Sequence, residues 1–156
     1  MRRHITTLIA AMLMTLAAGA QTITGRVVTV YDGDTFTLLR DDMTQLKIRI
    51  NGIDAPEKSQ AYGRRSKEYL ASLIASRRVT ARVCSTDRYG RLICRVKHNG
   101  KDISLEMIRS GYAWHYSHFD NTPEYARAEK EAREAHRGLW ADPHPMNPYE
   151  YRRTTK

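Results

Sequence analysis

The stretch from Asp32 to Glu57 constrains this chain more than any other. It opens on Asp32-Gly33-Asp34-Thr35, runs through Leu46-Lys47-Ile48-Arg49-Ile50 and closes on Ile53-Asp54-Ala55-Pro56-Glu57. Asp-Gly is a turn signal, and Leu46, Ile48 and Ile50 alternating with Lys47 and Arg49 is the period-two pattern of a half-buried strand. Two turns bearing carboxylates are thus tied to one strand bearing an arginine. Asp34 shares parity with Phe36 and Leu38, so its carboxylate points to the side those residues bury. A partly desolvated carboxylate keeps its charge at low cost only beside a cation. Carboxylate oxygens suit hard cations such as Ca²⁺, and the planar fork of a guanidinium suits a phosphate. Together these are the parts that phosphodiester hydrolysis needs. Each fragment taken alone also has a plain structural reading: a turn, a proline-stopped loop, an exposed strand residue.

The remaining pattern supplies a fold around that stretch. Residues 23–31, 35–39 and 46–50 read as a three-stranded meander, with both acidic turns near one rim. Residues 61–76 switch period: Tyr62, Ser66, Tyr69, Leu70, Leu73 and Ile74 share a helical face, while Arg64, Arg65, Lys67 and Glu68 point away. That charged side reads as the solvated face of a packed helix. Residues 79–84 and 92–96 read as strands four and five. Five strands with a helix after the third predict an α+β fold, a Greek-key β-barrel of the oligonucleotide-binding (OB-fold) type with three packed α-helices.

The second helix is expected near residues 102–110. The third has Thr122 as N-cap and Pro123 at the first helical position, with Tyr125, Ala128, Ala132, Ala135 and Leu139 as its buried stripe and Gly138 at its end. Glu129 and Arg133 make an i,i+4 pair on it. The last segment, 142–156, carries three prolines and few apolar residues, and its composition predicts disorder.

Residues 1–20 combine Arg2 and Arg3, an uncharged apolar run and Ala18-Gly19-Ala20, the pattern of a secretory signal peptide cleaved before Gln21. The apolar run is shorter than the roughly 18 residues of a membrane span. The expected organisation is therefore a signal peptide (1–20), one folded domain (21–141) and a tail (142–156), with the chain exported to the periplasm or secreted. Setting aside Arg2 and Arg3 leaves 24 of the 26 basic residues against 17 acidic, a net charge of about +7. Such a surplus draws polyanions, nucleic acid or an anionic envelope surface alike. Cys84 and Cys94 flank Tyr89 symmetrically, so a hairpin there sets them opposite each other. In an exported chain that placement reads as a disulfide, and the alternative is two small buried apolar side chains. The six histidines show no ligand spacing; His115 and His118 read as surface or structural residues.

The ordered combination of Asp32-Gly33-Asp34-Thr35, Arg49 five residues before Asp54, Asp54-Ala55-Pro56-Glu57 and Asp87-Arg88-Tyr89-Gly90-Arg91 resembles the staphylococcal nuclease (thermonuclease) family, from about Thr24 to Trp140. The resemblance implies a Ca²⁺-dependent, monomeric nuclease cleaving DNA and RNA with little sequence preference and leaving 3′-phosphates. It implies metal ligands at Asp34, Asp54 and the backbone carbonyl of Ala55, where the family commonly has threonine. Catalytic roles fall to Arg49, Glu57 and Arg91, and substrate contact to Arg88, Tyr89 and Tyr116. For Arg88 and Tyr89 an ordinary hairpin tip remains an equal reading. A non-catalytic OB-fold nucleic-acid-binding module is the alternative function, and a basic structural protein of the envelope surface a third.

Overall fold

A computed structural model describes residues 21–155; the expected signal peptide lies outside the described residues. Among the described residues eight strands and four α-helices follow one another. The barrel strands are β1 (Thr22–Val30), β2 (Thr35–Leu39), β3 (Gln45–Ile50), β5 (Arg78–Thr86) and β6 (Leu92–His98). β1 pairs antiparallel with β2 and β5, β2 with β3, and β5 with β6. A parallel pairing of β3 with β6, Ile48 beside Leu92 and Ile50 beside Cys94, closes the ring. Closure removes free edges, and the inward alternate residues fill the barrel: Val27, Phe36, Leu38, Ile48, Ile50, Val79, Ala81, Cys94 and Val96 are all buried. This is the expected five-stranded OB-fold barrel. The remaining strands, β4 (Ile53–Asp54), β7 (Lys101–Asp102) and β8 (Trp114–His115), are two-residue pieces. β7 extends the hairpin beside β6, and β4 pairs with β8.

Helix α1 (Gly63–Ile74) buries Ser66, Leu70 and Ile74 and leaves Arg64 and Arg65 exposed, as its periodicity predicts. Its start is pressed against the site loops. A Cβ on Gly63 would lie 1.9 Å from the Glu57 carbonyl oxygen, and one on Gly33 would lie 1.8 Å from Ser66 Oγ. The two acidic turns can therefore sit on the helix only because these positions have no side chain. Helix α2 (Ile103–Arg109) is capped by Asp102, whose carboxylate accepts from the Leu105 N–H at 3.2 Å.

Helix α3 (Pro123–Glu134) starts where predicted, with Pro123 at its first position. The Thr122 hydroxyl caps nothing and instead accepts from Arg95 at 3.2 Å. Glu129 and Arg133 form their expected pair, with Arg133 also lying 4.0 Å over the Trp140 ring. The helix ends earlier than the Gly138 signal suggests. His136 takes a left-handed backbone (φ 51°), Ala135 is exposed, and Gly138 instead opens a 3₁₀ turn, Gly138–Ala141, that buries Leu139 and Trp140.

Two further expectations do not match this structure. The tail after Ala141 forms a fourth helix, α4 (Pro148–Thr154), rather than lacking structure. Its burial is slight, Pro148 alone, and polar contacts hold it: Asn147 caps the Tyr149 N–H at 2.9 Å, Gln60 donates to the Met146 carbonyl at 2.7 Å, and the Ser59 and Tyr151 hydroxyls lie 2.9 Å apart. Apolar composition alone does not detect contacts of that kind. Cys84 and Cys94 are both free thiols, the first exposed and the second buried. Val83 stands opposite Cys94 and Ser85 opposite Ile93, so a bulge leaves Cys84 as the extra, unpaired residue. Burial pushes the Cys94 thiol up to about 12. Among the described residues no helix is long and apolar enough to cross a membrane.

Candidate active site

One barrel rim gathers the acids. The turn after β1 is locked by the Asp32 carboxylate accepting from the Asp34 N–H at 3.0 Å. The Asp34 carbonyl accepts from the Ile50 N–H at 2.8 Å, joining that turn to the end of β3. Arg49 faces Thr35 across the β2–β3 ladder, one residue from Asp34. Asp54 is fixed from the other side, because β4 pairs Asp54 with Trp114 of β8.

Within this frame Arg49 bridges both acids, 3.0 Å from Asp34 Oδ2 and 3.2 Å from Asp54 Oδ1, while donating to the Ile53 carbonyl at 3.0 Å. Asp34 is 6% exposed and Asp54 1%. Asp34 also accepts from Thr35 Oγ1 and from the Ala55 N–H, each at 2.9 Å, so Ala55 is joined to the cluster through its amide. Glu57 is more open and is shaped by Gln60, whose Oε1 accepts the Glu57 N–H at 3.1 Å. Tyr116 lies near enough that, after burial, the negative charge of Asp54 adds to raising its hydroxyl above the ordinary tyrosine range.

The hairpin residues do not join this cluster directly. Arg91 precedes β6, which runs beside β3, but its Nε is held 2.6 Å from Asp87 Oδ2. Asp87 also accepts the Tyr89 and Arg91 N–H groups at 2.8 and 3.0 Å. Burial works to raise this carboxyl, yet the Arg91 and backbone hydrogen bonds prevail and keep it below the usual carboxylate range. Arg88 donates to its neighbour's hydroxyl at 2.7 Å, and the Tyr89 ring is 69% exposed. An exposed ring flanked by guanidinium groups is a ready stacking platform. His115 is buried, with Nε2 3.2 Å from Asp120, a structural placement as expected.

One contact has no counterpart in the sequence reading. Arg152, on the last turn of α4, donates to Asp54 Oδ1 at 3.1 Å, Asp54 Oδ2 at 2.9 Å and Glu57 Oε1 at 2.8 Å. These carboxylates raise its pKa further, against its burial. Even so, burial, with the charge of Asp34 added, keeps Asp54 above the ordinary aspartate value against the pull of Arg152 and Arg49. Asp32 is pushed up to about 7 by burial and by Asp34.

Asp32, Asp34, Asp54 and Glu57 share the rim with Arg49 and Arg152, so carboxyl groups outnumber guanidinium groups there by two. A single hard divalent cation offsets that excess, and carboxylates are its preferred ligands. Asp34 and Asp54 are both held by the Arg49 guanidinium. Among the described residues no three acid, histidine or cysteine side chains already stand as a finished cation cage.

Residues 47–142 match the family described as staphylococcal nuclease homologue. This chain belongs to the staphylococcal nuclease family. Similar proteins include an uncharacterized endonuclease of Haemophilus influenzae, 38% identical over 152 residues, which are 97% of this chain and 85% of the relative. An uncharacterized endonuclease of Escherichia coli O157:H7 is 41% identical over 131 residues, 83% of this chain and 85% of the relative. A probable staphylococcal-like nuclease of Oryza sativa subsp. japonica is 42% identical over 107 residues, 69% of this chain but 28% of that longer protein.

Proposed function

We propose that this member of the family is an exported, monomeric, Ca²⁺-dependent nuclease that hydrolyses DNA and RNA with little sequence preference. The observation that carries the reading is the convergence of Arg49, Asp34, Asp54 and Glu57 on one barrel rim. Asp34, Asp54 and the Ala55 carbonyl would hold the ion. When bound, it supplies positive charge next to the scissile phosphate. Glu57 orients a water for in-line attack and receives its proton, with positioning counting for more than basicity. Arg49 donates to the non-bridging oxygens as negative charge builds on them, and Arg91, once released from Asp87, does the same from the hairpin. Water oxygen bonds to phosphorus, the bond to the 5′ oxygen breaks, and that oxygen takes up a proton from solvent as it leaves, so the product ends in a 3′-phosphate. Tyr89 and Tyr116, with Arg88 beside them, give bases a sequence-tolerant surface.

The test is to incubate the chain from Gln21 with single- and double-stranded DNA and RNA, in Ca²⁺, in Mg²⁺ and in chelator, and to identify product ends. Ca²⁺-dependent cleavage with 3′-phosphate ends is expected. Salt-sensitive binding without cleavage would replace the enzyme by a binding module of the same fold.

A further inference from the structure

The C-terminal helix places a charged group where the proposed reaction needs a cation. Arg152 spans Asp54 and Glu57, the acids given to ion binding and to water, and it contacts both oxygens of Asp54. With Arg49 also on Asp54 Oδ1, guanidinium groups take three of the roughly four acceptor directions a carboxylate offers. A divalent ion entering at the remaining direction meets the repulsion of two positive charges within a few ångströms.

The element that carries Arg152 is lightly attached. α4 has seven residues and buries only Pro148, while Tyr149 is 49% exposed. Its other anchors are the Gln60–Met146 and Ser59–Tyr151 hydrogen bonds. Elements with little apolar burial open far more readily than a closed barrel. The Arg152 side chain is itself about one-third exposed, at 36%. Its neighbour Arg153 is exposed and turns to the Tyr149 ring instead, 5.8 Å from its centre, so it serves as an internal control.

We infer that Arg152 is a built-in counter-cation: α4 holds the acids closed in the free protein, and a divalent ion gains Asp54 only as Arg152 is displaced. The inference rests on the cation-site reading above, and it makes the C-terminal helix an autoinhibitory strap. Binding of the ion and docking of α4 then exclude each other, so each weakens the other by the same factor.

Calorimetric titration of Ca²⁺ into the full chain from Gln21, without nucleic acid, tests this. Arg152→Gln should bind Ca²⁺ at least tenfold more tightly than wild type, Arg152→Lys should fall between them, and Arg153→Gln should match wild type. The lysine variant keeps the positive charge on the acids should the glutamine variant fold poorly. In wild type, Ca²⁺ should speed hydrogen exchange at the α4 amides while leaving the barrel strands protected. Equal or weaker Ca²⁺ binding by both Arg152 variants would overturn the strap and leave the cation site standing. Absence of Ca²⁺ binding in wild type and in every variant would overturn both.

Discussion

Asp54 and Asp120 are both buried beside arginine, and their acidities move in opposite directions. Burial acts on each to raise its pKa. At Asp120 the Thr122 N–H and hydroxyl, His115 and Arg95 outweigh burial and hold the carboxyl below the ordinary range. At Asp54 the Arg152 hydrogen bonds and Arg49 do not suffice, because the charge of Asp34 adds to the burial, and the carboxyl stays raised. Asp120 is one negative charge among fitted donors, accepting from Thr122 at 2.9 Å and from Arg95 at 3.2 Å. It ties the loop after β8 to the start of α3 and to β6. Asp54 shares its site with other acids. The contrast separates a carboxylate ringed by fitted donors from one that shares its site with other acids, the kind of setting in which perturbed carboxyls are candidates for function.

The sharpest way to break that contrast is to remove an arginine from the acid rim. Arg49→Ala should lower nuclease turnover by about 10²–10³-fold, the usual loss for one donor to a developing anion, with the circular dichroism of the barrel retained. Arg91→Ala should follow it by orders of magnitude, since its guanidinium is assigned the same task from the hairpin. Near-normal turnover in either purified variant would remove its catalytic role. The complementary variant is Asp120→Ala, which should cost about 2–3 kcal/mol in urea denaturation by stranding its donors, while turnover per folded molecule persists. If turnover of folded Asp120→Ala collapsed as well, the two clusters would not be separable.

The smallest expected effect is in acid. A lowered carboxyl contributes stability that is present above its unfolded value, 3.8, and is lost as pH falls through the folded one. Asp120→Asn should therefore flatten the fall in stability below about pH 4 relative to wild type, measured by urea denaturation across pH. An unchanged slope would mean that Asp120 does not keep its proton off in the folded state.

Much of this was legible in the chain because it rests on short periods. The barrel strands follow from alternation, and the parity of Asp34 with Phe36 and Leu38 places its carboxylate on the buried side, where it is found. Arg49 has the other parity, paired with Thr35, so its reach to Asp34 is not contained in the alternation. What alternation does not register is an inserted residue: the bulge at Cys84 moves that side chain out of line with Cys94. β4 and β8 are too short to show any period, yet their pairing fixes Asp54. Helix α4 escaped because its docking is polar and its composition is that of a tail. A local signal was present: Asn147-Pro148 repeats the cap-then-proline pattern of Thr122-Pro123, which marks the start of α3. That Arg152 on this helix reaches Asp54 and Glu57 across more than ninety residues of sequence is a tertiary fact, which local patterning does not contain.

The most direct test of the site is Glu57→Gln, assayed for both single-turnover cleavage of DNA and DNA affinity. The substitution keeps shape and removes the charge and the proton acceptor from the one acid assigned to water. The account predicts a large loss of cleavage rate at essentially unchanged affinity. Equal loss of both would make Glu57 a binding residue and contradict the assignment of the acid rim to chemistry.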